Sequence, residues 1–169
     1  MGVTKPEILL TADPALTLRK AEDDQIDSVL LRAGIPPQGR YLCFALRQWR
    51  GFEEKAPLFG AAACYAYKTY GLIPVFTAVE KHLDPAAARL AAQGLDIPHY
   101  FLDDAGGAGT IIGALSRMEA VVSMRLHALI FAAGQGIPLA GVVYDPKVSA
   151  FLRYTGQDNF TNLEDLTEA

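Results

Sequence analysis

Short apolar runs alternate along this chain with stretches in which apolar side chains recur every three or four positions. The two periods predict strands and helices in turn. Ile8, Leu9 and Leu10 form a brief apolar run closed by Thr11-Ala12-Asp13-Pro14, which reads as a connector into the domain. A helix is predicted over residues 22–33, where Ile26, Val29, Leu30 and Ala33 share a face; Gly34 ends it and Pro36-Pro37 bars its continuation. The run 40–46 is almost continuously apolar, as in a strand buried on both faces. A loop at 47–51 precedes a helix at 54–70, rich in Ala and Tyr and ended by Gly71. A second strand follows at 72–78, then a helix from Pro85 to about residue 93 with Asp84 as its cap. Further strands are expected at 97–102, 119–123 and 138–143, with helices at 109–116 and 125–133 between them. A last short helix near 147–154 leads into a polar tail.

Strand and helix alternate with no repeat and no long linker. That order specifies an α/β fold, a Rossmann-like open, mostly parallel sheet with helices on both faces and right-handed crossovers. The 169 residues suit one domain that buries roughly two-thirds of its unfolded surface. With 51% hydrophobic and 20% charged residues, a packed core is expected and global disorder is excluded. The net charge of −4 argues against nucleic-acid binding by bulk positive charge, although Arg47-Gln48-Trp49-Arg50 forms a local basic cluster.

Cys43 and Cys64 both stand among apolar neighbours and read as buried structural thiols of a reducing compartment. No Asp/His cluster suggests a metal, and no signal peptide is visible at residues 1–7. Residues 126–143 lack Asp, Glu, Lys and Arg, but Gly134, Gly136 and Pro138 divide them into helix and strand, so no membrane span is expected.

The chemistry concentrates where strands give way to helices, the edge at which parallel sheets bind ligands. In Ser123-Met124-Arg125-Leu126-His127, Ser123 is expected to cap the following helix, whose buried stripe is Leu126, Leu129, Ile130 and Ala133. Arg125 in a first helical turn opposes the helix dipole unless an anion sits there. Arginine offers a planar fork for carboxylate or phosphate, and histidine exchanges protons near neutral pH. Taken alone, the string fits a packed junction as well as an anion site.

Tyr144-Asp145-Pro146-Lys147 likewise reads either as a turn opening the last helix or as a ligand loop that contributes Tyr144 or Lys147. Arg47 and Arg50 with Trp49 could hold a phosphate and stack a ring, or form a solvated loop. Gly106-Gly107-Ala108-Gly109-Thr110 lacks the lysine of a phosphate loop and reads as a flexible turn. His82 and His99 default to surface loops, while Glu80, Lys81, His82 and Asp84 stand where they could rim a cleft.

Beyond a generic strand–helix–strand unit, Ser116-Arg117, the run from Val121 to Ile130, Gly136-Ile137-Pro138 and Tyr144-Asp145-Pro146-Lys147-Val148 closely resemble the polysaccharide pyruvyl transferase family. The resemblance is to its branch that acts on cell-wall polymers, and Thr11-Ala12-Asp13-Pro14-Ala15-Leu16 and Leu46-Arg47-Gln48-Trp49 share it. It implies a GT-B-like protein of two Rossmann-like domains, of which this chain is the C-terminal half, with an N-terminal domain as partner. It implies transfer of pyruvyl from phosphoenolpyruvate, the donor substrate, to two hydroxyls of a lipid-linked or polymeric sugar acceptor, forming a ketal that anchors S-layer proteins. No other cofactor is implied.

The resemblance carries His127 and Arg125 onto catalysis, and Arg47, Ser123, Leu126, Trp49, Tyr144 and Lys147 onto substrate binding. The expected location is the cytoplasm, at the inner face of the membrane. After the second strand the family has a glutamine-containing loop where this chain has Glu80-Lys81-His82, so the acceptor contacts differ. Two rivals share the architecture: the nucleotide-sugar-binding half of a GT-B glycosyltransferase, and a non-catalytic α/β ligand-binding module.

Overall fold

The structure, a computed structural model, describes residues 5, 7, 9 and 11–168; Ile8 and Leu10 of the amino-terminal apolar run lie outside the described residues. After a 3-10 turn at Pro14–Thr17, the elements are α1 (Asp23–Arg32), β1 (Tyr41–Ala45), α2 (Phe52–Tyr70), β2 (Ile73–Thr77), α3 (Asp84–Ala91) and β3 (Tyr100–Leu102). The second half adds α4 (Ala108–Leu115), β4 (Ala120–Ser123), α5 (Leu126–Gly134), β5 (Leu139–Val143), α6 (Pro146–Tyr154) and β6 (Phe160–Asn162). The strands form one six-stranded sheet in the order β3-β2-β1-β4-β5-β6, and every pairing is parallel. This is the Rossmann-like α/β arrangement expected from the alternation of elements, with the doubly wound strand order.

Period-two alternation in β1 divides the core. Tyr41, Cys43 and Ala45 join the side formed by α1, α4, α5 and α6, whereas Leu42 and Phe44 join the side formed by α2 and α3. All five β1 residues are buried, as a strand at the centre of a doubly covered sheet requires. Phe44 stacks on Phe76 with ring centres 5.4 Å apart, and Phe52 on Phe59 at 5.6 Å, which fills the α2 side.

Three expectations change. β3 is shorter than the run 97–102 because Pro98 has no N–H for the ladder, and pairing begins only at Tyr100. The polar tail contains β6, which pairs with β5 through Gly141 N to Asn159 O at 2.9 Å and Leu163 N to Val143 O at 2.8 Å. Phe160-Thr161-Asn162 carries no hydrophobic period, so only the open edge of β5 makes it a strand. Of the two cysteines, Cys43 is buried but Cys64 on α2 is half-exposed.

Two measurements check the packing. A Cβ on Gly60 of α2 would lie 2.7 Å from the Ala91 carbonyl oxygen of α3. Gly60→Ala is therefore expected to destabilise the fold by about 1–3 kcal/mol through overpacking. That outweighs the ~1 kcal/mol by which alanine surpasses glycine inside a helix. A urea midpoint equal to or above the parent's would show that α3 yields freely.

Burial pushes the Cys43 thiol up from its ordinary value of 9.0 to about 12. The unfolded chain thus loses this proton first as pH rises. The thiol's contribution to stability is complete below pH 9.0 and is lost on the way to about 12. At pH ~8, near the free-thiol range, an aromatic disulfide reagent should modify Cys64 in the native protein and Cys43 only after unfolding. Equal native rates at both would contradict the burial.

Candidate active site

Because α2 and α3 wind the chain outward from β1 through β2 to β3 before it returns to β4, the strand order reverses between β1 and β4. Loops leaving these two strands diverge to opposite faces and open a crevice at their carboxyl ends. Two bonds fasten the floor of that crevice: Met124 N donates to Ala45 O at 3.0 Å, and Ser123 Oγ lies 3.1 Å from the same oxygen.

Ser123 does not cap α5 as expected. Its hydroxyl accepts the Arg125 N–H at 2.8 Å and lies 3.0 Å from Arg125 O, bracing a tight turn, while Arg125 itself occupies the cap position without a side-chain cap bond. The turn delays the helix until Leu126. The first-turn N–H groups of α5, led by Leu126 and His127, therefore open at the crevice unsatisfied by the helix itself.

The Arg125 side chain also has a definite partner. Its Nε donates to Asp84 Oδ2 at 2.8 Å, and Nη2 stands 2.7 Å from Asp84 Oδ1, held there by charge more than by aligned hydrogen bonding. Asp84 Oδ2 further accepts Val79 N at 3.0 Å and Glu80 N at 2.8 Å. The Arg125 side chain is 15% exposed and that of Asp84 2%. Asp84 is thus the first residue of α3, following Leu83 at the cap position, and not the cap that the sequence suggested. Its carboxylate ties the loop after β2 to the β4–α5 junction. Nη1 of Arg125 has no protein partner among the described residues, which leaves that end of the fork free.

His127 is exposed on the first turn of α5, its ring 6.0 Å from that of Phe131. It lines a cleft of about 630 Å³ with Lys81 and His82 from the loop after β2, and Asp104, Gly106 and Gly107 from the loop after β3. The loops before α3 and α4, separate in sequence, thereby share a wall with α5. Lys81 Nζ reaches Asp104 Oδ2 at 3.1 Å across that wall. The Gly106 N–H and Lys81 hold the Asp104 carboxyl below the usual carboxylate range. His82 is exposed, as its surface-loop reading expects, and with Glu80 and Lys81 it does rim a cleft; its sharing that cleft with His127 is what the sequence does not specify. The only signal was that both follow strand ends.

A second grouping forms on the β5 side. Arg47 Nη1 donates to Tyr144 Oη at 2.9 Å, and its guanidinium carbon is 5.0 Å from the Trp49 ring centre and 4.9 Å from that of Tyr144. Trp49 and Tyr144 are 4.8 Å apart, tilted by 58°. Arg47 Nε is buried without a partner among the described residues. Lys147 Nζ is 5.9 Å from the Tyr144 ring, and Asp145 caps α6 by accepting the Lys147 N–H at 3.0 Å. The turn reading of Tyr144-Asp145-Pro146-Lys147 is therefore realised in the backbone, while Tyr144 packs with the Arg47–Trp49 loop. Leu126 is half-buried against the α5 side of the core.

Among the described residues, no three His, Cys, Asp or Glu side chains gather as a metal site, and no helix is long and apolar enough to cross a membrane.

Fold and edge together define a class: a Rossmann-like α/β protein whose polar chemistry is gathered at the switch point of its sheet. The family model of polysaccharide pyruvyl transferases matches residues 1–146, and the chain belongs to that transferase family. The match runs from the amino terminus through β5 to the first residue of α6. No curated protein matches the chain.

The ion pair is open to measurement. Asp84→Ala removes the partner of a mostly buried guanidinium and the acceptor of two loop N–H groups, at an expected cost of about 3–5 kcal/mol. Asp84→Asn keeps an acceptor for the loop and should lose less. Urea unfolding that ranked the two variants equally would show that the charge of Asp84 contributes nothing.

Proposed function

We propose that the protein provides the donor side of a pyruvyl transferase, binding phosphoenolpyruvate at the β4–α5 junction and moving its pyruvyl group onto a cell-wall sugar as a cyclic ketal. The observation that carries this reading is the junction itself. A fixed arginine with one fork end outside its ion pair, the first-turn N–H groups of α5 and an exposed histidine follow one another at the carboxyl end of β4, and Arg47 leaves the carboxyl end of the neighbouring strand β1. Family membership supports a polysaccharide acceptor.

Phosphoenolpyruvate carries a carboxylate and a phosphate. Arg125, through its free Nη1 end, and Arg47 take these anions, aided by the first-turn amides of Leu126 and His127. The double bond of the donor is electron-rich until its methylene carbon gains a proton. His127 delivers that proton, turning the methylene into a methyl group and leaving the central carbon electrophilic. A sugar hydroxyl adds to that carbon and gives up its proton.

The carbon–oxygen bond to phosphate then breaks with its electron pair, and a second hydroxyl closes the ring. Three protons move in total: one to carbon, and two from the hydroxyls, of which one returns to His127 and one leaves on inorganic phosphate. The arginines and amides stabilise the departing phosphate as its charge grows.

Trp49, Tyr144 and Lys147 line the approach on the β5 side. In this reading the chain corresponds to the C-terminal domain of a two-domain enzyme, and an N-terminal domain completes the cleft.

The test assays ketal formation from phosphoenolpyruvate with the whole enzyme. His127→Ala should lower turnover by about 10²–10⁴-fold, the usual contribution of a general acid or base. Arg125→Lys, which retains a charge beside Asp84 but lacks the fork, should weaken phosphoenolpyruvate binding. Near-normal turnover in both variants sinks the assignment. Saturable binding of UDP with no response to phosphoenolpyruvate would establish the glycosyltransferase reading instead.

A further inference from the structure

The cleft on the β5 side, about 810 Å³, differs in chemistry from the one lined by His127. Its lining includes Trp49, Tyr144 and Asn162 together with the charged side chains of Arg50, Glu54, Lys55, Asp145 and Glu164. The geometry points to a subsite for a neutral pyranosyl saccharide, stacked on Trp49 and held through its hydroxyls by Glu54 and Glu164. This inference rests on the proposed function only in naming that saccharide as the acceptor.

Trp49 is the sole tryptophan of the chain and is 45% exposed. An exposed tryptophan on a loop ordinarily has rotational freedom, but this one is fixed. Tyr144 abuts it at 4.8 Å, the Arg47 guanidinium lies 5.0 Å from its centre, and its carbonyl accepts the Phe52 N–H at 2.9 Å. A rigid aromatic face with a negative quadrupole suits the polarised C–H face of a pyranose ring.

The polar lining favours hydroxyls over anions. Among the described residues, Glu54 and Glu164 make no ion pair or side-chain hydrogen bond, so both carboxylates remain free to accept. Of the two cationic members, Lys55 is engaged, its Nζ donating to the Leu166 carbonyl at 2.6 Å, and Arg50 is outnumbered by the carboxylates of Glu54, Asp145 and Glu164. Two unpaired carboxylates would repel a carboxylate-phosphate such as phosphoenolpyruvate, yet they accept hydroxyl hydrogen bonds well. The volume lies within the range of small-ligand clefts, about 300–1,000 Å³.

Arg47 connects this cleft to the crevice, since it leaves β1 just beyond Ala45 and bonds to Tyr144. A donor at the β4–α5 junction and a sugar on Trp49 would therefore meet across one side chain.

The single tryptophan makes the site directly observable. The protein is titrated with methyl β-D-galactopyranoside, N-acetyl-D-glucosamine and cellobiose while Trp49 fluorescence is followed. At least one sugar should give a saturable change in the millimolar range, and saturating phosphoenolpyruvate should not displace it. Glu54→Gln and Glu164→Gln should each weaken that binding roughly tenfold, the usual effect of losing a hydrogen bond to a charged group.

Ligand-observed saturation transfer gives a second reading that does not need the indole. The signal should persist in Trp49→Phe and vanish in Trp49→Ala, with both variants confirmed as folded by circular dichroism. Non-saturating responses to all three sugars, unaltered binding in both glutamine variants, or displacement by phosphoenolpyruvate each overturn the subsite. Saccharide binding that saturates while phosphoenolpyruvate binds nowhere leaves the subsite standing and overturns the donor assignment alone.

Discussion

Parallel pairing of all six strands sets their carboxyl ends at the same edge of the sheet, and the rest of this structure depends on that constraint. The chain winds outward from β1 through β2 to β3, then returns to place β4 against the other side of β1. Loops that would otherwise lie side by side are forced apart at that reversal. The crevice is therefore a product of topology, present before any side chain is chosen to fill it.

The buried pair between Arg125 and Asp84 shows how side chains exploit the reversal. Removing two charges from water is costly, and a carboxylate alone at this depth would not be tolerated. Here the cost is offset because Asp84 also satisfies Val79 N and Glu80 N, and because Arg125 approaches with both Nε and Nη2. The pair joins the loop after β2 to the start of α5. Whatever ligand meets the free end of Arg125 meets a group that has little rotameric freedom left to lose.

Much of this was legible in the residue pattern because burial on both sheet faces and helix amphipathicity leave strong periods. β1 and α1 fall within a residue or two of their predicted limits for that reason. Legibility fails where a residue's role is set by something distant in sequence. Asp84 looks like a helix cap when only Pro85 is considered, since Asp before Pro is a common helix start. Its true partner lies 41 residues away, on a loop that only the strand order brings near. Ser123 differs from its local reading for a similar reason: the turn that it braces postpones α5, and local spacing carries no sign of that turn. β6 is the clearest case, for a strand at a sheet edge draws its identity from the neighbour's unpaired backbone and not from its own side chains.

By itself the sequence determined the class of fold, the order of elements and the edge where the chemistry gathers. Local periodicity and the Ser123-Met124-Arg125-Leu126-His127 string are written in consecutive residues. The tertiary structure alone decided which of these residues share a space. It set Arg125 on Asp84, placed His127 in a cleft with His82, and gathered Arg47, Trp49 and Tyr144 into a separate cluster on the β5 side. Those associations depend on the reversal of strand order between β1 and β4, and that reversal is a long-range packing choice on which no short window of sequence carries information.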